Sequence, residues 1–171
     1  MLLELSKHMG VDKITVRRIV EESGLSQQTF YNHFADKYDL ILWIHRSEGD
    51  RLIEKLGKDG YGYRELVRDN LTYYIAHKDF MRNVMENTYG NESYALQSAE
   101  NAYRVWKDYI CKRHGIPRLP QEVDFDLRLF CHANVRMTAE WAFTIPEIPA
   151  ETFADYIFNA IPPKLCPYLS D

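Results

Sequence analysis

Helical periodicity is the feature that most constrains how this chain can fold. Apolar residues recur three and four positions apart along most of the 171 residues, and no stretch of useful length alternates apolar and polar residues as a half-buried strand does. Glycine and proline interrupt the pattern at intervals, as they do at helix ends. The sequence therefore predicts an all-α fold of about nine helices, at 2–9, 16–23, 27–33, 37–56, 63–77, 79–88, 92–114, 122–144 and 150–160.

Residues 1–46 contain the most specific local pattern. Thr15 is placed to cap one short helix and Gly24 to end it, while Ser26 is placed to cap the next helix. Short helices joined by a glycine-containing turn, with a short aromatic-rich helix after it, are typical of a helix-turn-helix unit. Because other compact helical bundles also use short helices and glycine turns, the prediction depends on the composition of that third helix.

The third helix combines an aromatic anchor with a polar face. Phe30 and Phe34 are four residues apart, so they lie on the same side and are expected to point inward. The other side presents residues suited to base edges and phosphates: Gln27, Gln28, Tyr31, Asn32 and His33. Gln and Asn can each make two hydrogen bonds to adenine in the major groove, and Tyr and His can donate to phosphates. The helix is therefore predicted to contact DNA.

Net charge does not by itself indicate a nucleic-acid-binding protein. The chain carries a charge of −4, and residues 1–46 hold six Lys/Arg and six Asp/Glu, so that segment is neutral. The prediction of DNA binding therefore rests on the polar face of the third helix and not on a basic patch.

The run from Ile14 to Lys37, ITVRRIVEESGLSQQTFYNHFADK, resembles the signature of the TetR family of regulators. The resemblance lies in the Ile-Thr-Val start, the Gly-Leu-Ser turn, the Phe-Tyr-Asn-His-Phe helix and the Lys that follows. It implies a DNA-binding domain at 1–46 and a helical ligand-binding and dimerisation domain at 47–171. It further implies a repressor that binds a near-palindromic operator on double-stranded DNA as a homodimer, controlled by a small-molecule effector or a protein co-regulator.

The resemblance also implies roles for individual residues. Phosphate contacts are implied for Thr15, Tyr31, His33 and Lys37, base contacts for Gln27, Gln28 and Asn32, and positions facing the DNA backbone for Arg17 and Arg18. Family members usually have a longer and more basic first helix. Either Met1 is a late start, or this domain lacks one phosphate contact.

The C-terminal part of the chain resembles regulators found near dihydroxyacetone-kinase genes in the same family. The residues that carry this resemblance are Ala139-Glu140-Trp141, Pro149 to Phe153 and Pro162 to Leu165. It implies a partner that is a protein or a metabolite of that pathway.

The last two long helices are expected to form the dimer surface, as a four-helix bundle with the second subunit. One face of the predicted helix 122–144 carries Leu127, Cys131, Val135, Thr138 and Ala142. Packing in the core of the subunit would produce the same pattern. Another face carries Arg128, His132 and Arg136, a ridge that suits either a bound anion or salt bridges within the chain.

An effector pocket is expected between the fifth and eighth helices. Aromatic and methionine side chains line adaptable apolar cavities, and hydroxyl or imidazole groups add hydrogen bonds. On this basis the predicted ligand-binding residues are Tyr73, His77, Phe80, Met81, Tyr103, Trp106 and His132. A simple hydrophobic core is the alternative for each of them.

Several other functions find no support in the sequence. Cys111, Cys131 and Cys166 have no paired spacing and form no four-ligand zinc set with the neighbouring histidines, so reduced thiols in a cytoplasmic protein are expected, with no metal or cofactor. No nucleophile-base arrangement, phosphate-binding glycine loop or zinc-protease motif indicates an enzyme. No apolar run is long enough to span a membrane. The remaining alternative to a regulator is a helical protein–protein adaptor whose N-terminal domain no longer binds DNA tightly.

Overall fold

The computed structural model describes residues 1–90, 93–144 and 147–169, and these residues form helices without any strand. The elements are α1 (Leu2–Ser6), a 3₁₀ helix (Val11–Lys13), α2 (Val16–Ser23), α3 (Gln27–Tyr31), α4 (Lys37–Ile53), α5 (Tyr63–Ala76), α6 (Lys78–Glu86), α7 (Tyr94–His114), α8 (Gln121–Thr144), α9 (Ala150–Asn159) and α10 (Cys166–Leu169). The predicted all-α fold is confirmed. Within the described residues, no helix has the length and apolarity needed to cross a lipid bilayer.

Several helix ends were predicted wrongly. The predicted helix 2–9 is α1 followed by a turn, and neither the 3₁₀ helix nor α10 was predicted. The predicted helix 37–56 ends at Ile53, because the chain turns there towards Gly57, which has a φ of 75° and donates its N–H to the Tyr61 carbonyl at 2.9 Å. The first residue of the predicted helix 92–114 lies outside the described residues.

We call the residues before α4, 1–36, the head, and α4 with the residues after it, 37–169, the body. The head has its own set of buried side chains, which includes Leu5, Val11, Ile14, Ile19 and Phe30. These residues come from every element before α4, so the short helices hold one another in place although none is long enough to be stable alone. The buried apolar cluster continues without a break from the head into the body.

The body is built around two helix pairs. α7 and α8 make the most extensive helix contact in the molecule, and the short connection between them makes them antiparallel. α5 packs on α9, where Arg64 Nε lies 2.5 Å from Asp155 Oδ1. The end of α8 is held by Trp141, whose indole N–H donates to the Ile148 carbonyl at 2.7 Å and whose ring stacks on Phe153.

A single amide side chain on α6 joins the head to the body. Asn83 Oδ1 accepts a hydrogen bond from the Val11 N–H at 2.9 Å, and Asn83 Nδ2 donates to the carbonyls of Ser6 and Met9 at 2.7 and 2.8 Å. These groups belong to the end of α1 and the start of the 3₁₀ helix, whose backbone polar groups would otherwise lack partners. The orientation of the head on the body therefore depends in part on α6.

The face of α8 that the sequence associated with dimerisation lies inside the subunit. Leu127, Cys131, Thr138 and Ala142 are all buried against other helices of the same chain. The alternative explanation, core packing within the subunit, is therefore the one that the structure supports for this face. The side of α8 left in solvent carries a different apolar row, which consists of Phe125, Leu129, Ala133 and Met137.

Candidate functional site

The helix-turn-helix unit of the head is built by three local devices. The Thr15 hydroxyl accepts a hydrogen bond from the Arg18 N–H at 3.2 Å and starts α2. Gly24 ends α2 in the left-handed conformation, at φ 70° and ψ 17°, where a side chain would be strained. The Ser26 hydroxyl accepts a hydrogen bond from the Thr29 N–H at 3.0 Å and starts α3. These three predicted helix ends are confirmed.

The orientation of α3 is set by its aromatic anchor. Phe30 is 5% exposed, and its ring lies 5.4 Å from that of Tyr31 and 5.5 Å from that of Phe34. Phe34 in turn contacts the ring of Trp43 on α4 at 5.7 Å. Because one side of the helix is held by these contacts, the other side faces solvent. The side chains exposed there are Gln27, Gln28, Tyr31, Asn32 and His33.

The two arginines of α2, Arg17 and Arg18, are exposed, and each forms an ion pair within the helix. Arg17 Nε lies 2.7 Å from Glu21 Oε1, and Arg18 Nε lies 3.0 Å from Glu22 Oε1. The hydrogen bond that Arg17 donates to Glu21 raises the pKa of Arg17 above its ordinary value. Pairs this exposed are screened by water and salt, so a DNA phosphate can compete for either guanidinium.

Lys37 occupies a different environment from the other predicted DNA-contacting residues. Its ammonium group donates to the carbonyls of Val11, Asp12 and Ile14 at 2.9, 2.7 and 2.9 Å. This contact ties the first residue of α4 to the 3₁₀ helix. Thr15, Arg17, Arg18 and the polar residues of α3 are exposed, whereas Lys37 is half-buried.

The body contains a cavity of about 170 Å³ between α4, α5, α7 and α8. Of the seven residues predicted to bind a ligand, Trp106 lines this cavity. Phe80 and Met81 are buried in the core, and Tyr103 borders a separate open groove between α4 and α7. The Tyr103 hydroxyl donates to Asp124 Oδ1 at 2.9 Å and accepts from Lys107 Nζ at 3.0 Å.

The other predicted ligand-binding residues have partners elsewhere in the chain. Tyr73 and His77 stack on each other with ring centroids 4.2 Å apart, and the Tyr73 hydroxyl donates to the Ile44 carbonyl at 3.4 Å. His132 Nε2 lies 3.1 Å from Glu100 Oε1, which also accepts from Arg128 at 2.6 Å. The hydrogen bonds from Arg128 and then His132 lower the pKa of Glu100. Two members of the predicted ridge, Arg128 and His132, therefore face a carboxylate of their own chain.

Three other lining residues carry buried polar atoms. His45 Nδ1, Tyr74 Oη and Ser98 Oγ are inaccessible to solvent and have no hydrogen-bond partner among the described residues. Ser98 lies beside the Tyr94 hydroxyl, but the two groups do not reach hydrogen-bond geometry. Sequence periodicity had no means of finding this group, since the three residues come from three helices.

The interior of the cavity is electrically neutral. Part of His45 reaches the surface, but burial of its ring lowers its pKa to about 4, so it is uncharged at neutral pH. Burial also raises the pKa of Tyr74 above its ordinary value and that of Cys131 to about 12. The charged lining residues Arg46 and Asp50 lie half-exposed and pair with each other at 3.5 Å.

Among the described residues, no group of three or more His, Cys, Asp or Glu side chains is placed to hold a metal ion.

Comparisons with known proteins identify similar sequences and one similar fold. Residues 3–44 match the family of bacterial regulatory proteins described as the tetR family. The chain is 33% identical over 79 residues to the HTH-type transcriptional repressor AcnR of Corynebacterium diphtheriae, which covers 46% of this chain and 40% of that protein. It is 31% identical over 72 residues to an HTH-type transcriptional regulator of Staphylococcus aureus strain USA300, covering 40% and 39%.

The chain thus spans about two fifths of the length of the curated relatives it matches. Among solved structures, the dihydroxyacetone kinase operon activator DhaS has a similar fold, with a TM-score of 0.61, 19% sequence identity and coverage of 98% of this chain and 93% of that one. At 19% identity this likeness concerns the fold alone, and it extends over both the head and the body.

Proposed function

Because residues 3–44 place this chain in the TetR family of bacterial regulatory proteins, a family of regulators and not of enzymes, we propose that it controls transcription by binding an operator in double-stranded DNA. The observation that carries this proposal is the exposed polar side of α3, held outward by the buried Phe30. Polar side chains on one side of a short, firmly anchored helix are what major-groove recognition requires.

Within this proposal the exposed residues divide into two classes. Gln27, Gln28 and Asn32 read bases, since their amides can pair with base edges. Thr15, Arg17, Arg18, Tyr31 and His33 contact the phosphate backbone. Lys37 belongs to this second class only if its ammonium leaves the three carbonyls that it contacts.

We propose that the operator is near-palindromic because the regulator acts as a homodimer. The row of Phe125, Leu129, Ala133 and Met137 supports a dimer contact on α8, since these residues follow one another every fourth position and three of them are large apolar side chains exposed by 68%, 57% and 46%. Residues four apart lie on one side of a helix, so a second copy can cover the whole row.

Sedimentation tests this contact directly. The wild-type chain is expected to sediment as a dimer at micromolar concentration, and Leu129→Glu as a 20.2 kDa monomer, since a carboxylate would be buried in the contact. Leu96→Glu, at an exposed apolar residue of α7 outside the row, is the matched control and should stay dimeric. A wild-type chain that sediments at 20.2 kDa would contradict the homodimer.

In this proposal, α4 couples effector binding in the cavity to DNA binding by the head. This helix begins at Lys37 beside the 3₁₀ helix of the head, and its residues Leu42, His45 and Gly49 line the cavity. An effector that binds one body conformation more tightly than another would shift α4 and change the spacing of the two heads. We propose repression as the outcome, in keeping with the name of AcnR, to which the chain is 33% identical over 79 residues.

A second candidate function is favoured by one observation. The two guanidinium groups of α2 are paired with Glu21 and Glu22, and residues 1–46 are neutral overall. A head of this kind neutralises few phosphates, and phosphate neutralisation supplies most non-specific affinity. The alternative is therefore a helical adaptor that binds another protein and not DNA.

Fluorescence anisotropy with duplexes from the region upstream of its own gene separates the two functions. The full chain is expected to bind one duplex in preference to the others. The logarithm of its affinity is expected to fall linearly with the logarithm of the salt concentration. An unrelated duplex of equal length is the control. If no salt-sensitive binding appeared even at low ionic strength, the adaptor would be favoured over the regulator.

A further inference from the structure

Part of the lining of the cavity in the body is polar. His45 Nδ1, Tyr74 Oη and Ser98 Oγ all belong to lining residues, and all three lack partners among the described residues. The rings of Tyr74 and Tyr94 lie 6.4 and 6.0 Å from that of His45, so these groups form one cluster. A buried polar atom without a partner is costly, and native structures normally supply one.

Much of the remaining lining is apolar. It is formed by side chains such as Leu66, Val67, Trp106, Leu127 and Phe130. The volume of about 170 Å³ is close to that of an engineered apolar cavity of about 150 Å³ that holds benzene. A ligand of roughly six to ten non-hydrogen atoms therefore fits.

The charges on the lining exclude strongly ionic ligands. Inside the cavity there is no fixed cation among the described lining residues to meet a carboxylate, and Arg46 and Asp50 neutralise each other where the cavity opens. An ion that entered would lose its hydration without gaining a partner of opposite charge.

We propose that the cavity binds an uncharged, benzene-sized molecule with one or two hydroxyl or carbonyl groups, which hydrogen-bond to Tyr74 and His45, with Ser98 as a third contact. The apolar part of the ligand lies against the apolar side chains of the lining. This inference rests on the proposed regulatory function, because it names the chemical class of the effector.

NMR titration of the full chain with four probes of similar size tests the ligand class. Phenol and toluene are expected to bind, while benzoate and benzylammonium are expected to bind at least about tenfold more weakly than phenol because of their charge. Benzoate or benzylammonium binding as tightly as phenol would overturn the proposal. So would a failure of all four probes to bind, which would mean that the cavity holds water only.

Two conservative variants test the assigned contacts. Tyr74→Phe removes an unpartnered hydroxyl and should therefore fold normally, but it should weaken phenol binding about three- to tenfold and leave toluene binding unchanged. Ser98→Ala should have a smaller effect of the same kind. Tyr73→Phe is the matched control, since it makes the same change one residue away, where the hydroxyl contacts Ile44.

The outcomes of this experiment separate the ligand class from the regulatory function. If Tyr73→Phe weakened phenol binding and Tyr74→Phe did not, the assignment of the contacts would be wrong even with DNA binding intact. If phenol bound as expected and the chain bound no DNA, the regulatory function would fail while the cavity assignment stood.

Discussion

The head and the body of this protein carry their functional groups in opposite ways. In the head, a buried aromatic side chain holds polar groups out in solvent, and Phe30 and Tyr31 are adjacent residues that are 5% and 55% exposed. In the body, the polar groups of interest point inward, and three of them have no partner. An outward polar group costs the fold little, whereas an inward one without a partner destabilises it. The inward groups therefore destabilise the body, whereas the exposed polar groups of the head cost it little stability.

The head and the body also differ in the contacts that hold their functional groups in place. In the head, α2 and α3 each start with a hydrogen bond between residues three apart along the chain. The cavity depends on four helices that come together from residues far apart in sequence. Substitutions in the two regions should therefore differ in both size and kind of effect.

The largest effect is expected from Phe30→Ala. Removal of a buried phenylalanine side chain should lower the free energy of unfolding by about 3–5 kcal/mol, because it loses apolar contacts and leaves a cavity. DNA binding should be lost while phenol still binds the body. Urea denaturation with Tyr31→Ala as the control measures this, since that exposed neighbour should lose DNA binding with little change in stability. Equal destabilisation by both variants would contradict the role of Phe30 as the anchor.

Lys37→Ala tests whether this lysine supports the fold or contacts DNA. Loss of its hydrogen bonds to three carbonyls should lower the free energy of unfolding by about 2–4 kcal/mol. Lys13→Ala, at an exposed lysine of the 3₁₀ helix that loses the same charge, should change it by less. If instead Lys37→Ala kept full stability and reduced the slope of log affinity against log salt by about one, the lysine would be a phosphate contact.

The buried His45 predicts a pH dependence that originates in the body. Its pKa is lowered in the folded protein to about 4 from the ordinary value of 6.5, so the unfolded chain binds more protons between these two pH values. Stability should therefore fall by about 2–3 kcal/mol as the pH is lowered from 7 to 4. His45→Gln should remove this part of the pH dependence in urea denaturation. An unchanged slope in that variant would show that other groups cause it.

The smallest effects are expected on the exposed side of the head. Gln28→Ala should weaken binding to the preferred duplex by about 1–3 kcal/mol and relax the preference at particular bases. Arg17→Ala should weaken binding to all duplexes and reduce the salt slope by about one. Anisotropy titrations at several salt concentrations distinguish the two. If both variants behaved alike, the division into base-reading and phosphate-contacting residues would be wrong.

Residues that act within one helical turn were predictable from the sequence. Thr15, Gly24 and Ser26 were assigned to helix ends because caps depend on residue type at a fixed offset from the helix. Phe30 was assigned to the interior because residues four apart share a side. The structure places all four as expected.

Residues that act between helices were not predictable in the same way. Lys37 was assigned to phosphate by resemblance, and only the path of the chain brings the 3₁₀ carbonyls to its ammonium group. The apolar faces of α8 were equally ambiguous, since periodicity shows that a face is apolar but not which neighbour covers it. The structure covers Leu127 with the subunit's own helices and leaves Leu129 in solvent.

The sequence alone determined the all-α fold, the helix-turn-helix unit and the identity of the exposed polar residues on α3, because each follows from spacing and capping along a continuous segment. Tertiary structure alone decided which aromatic and polar residues meet in the cavity and which side of α8 stays exposed. It also decided that Asn83 joins α6 to the head. These are contacts between residues distant in the chain, and their partners are set by how the helices pack and not by any local pattern.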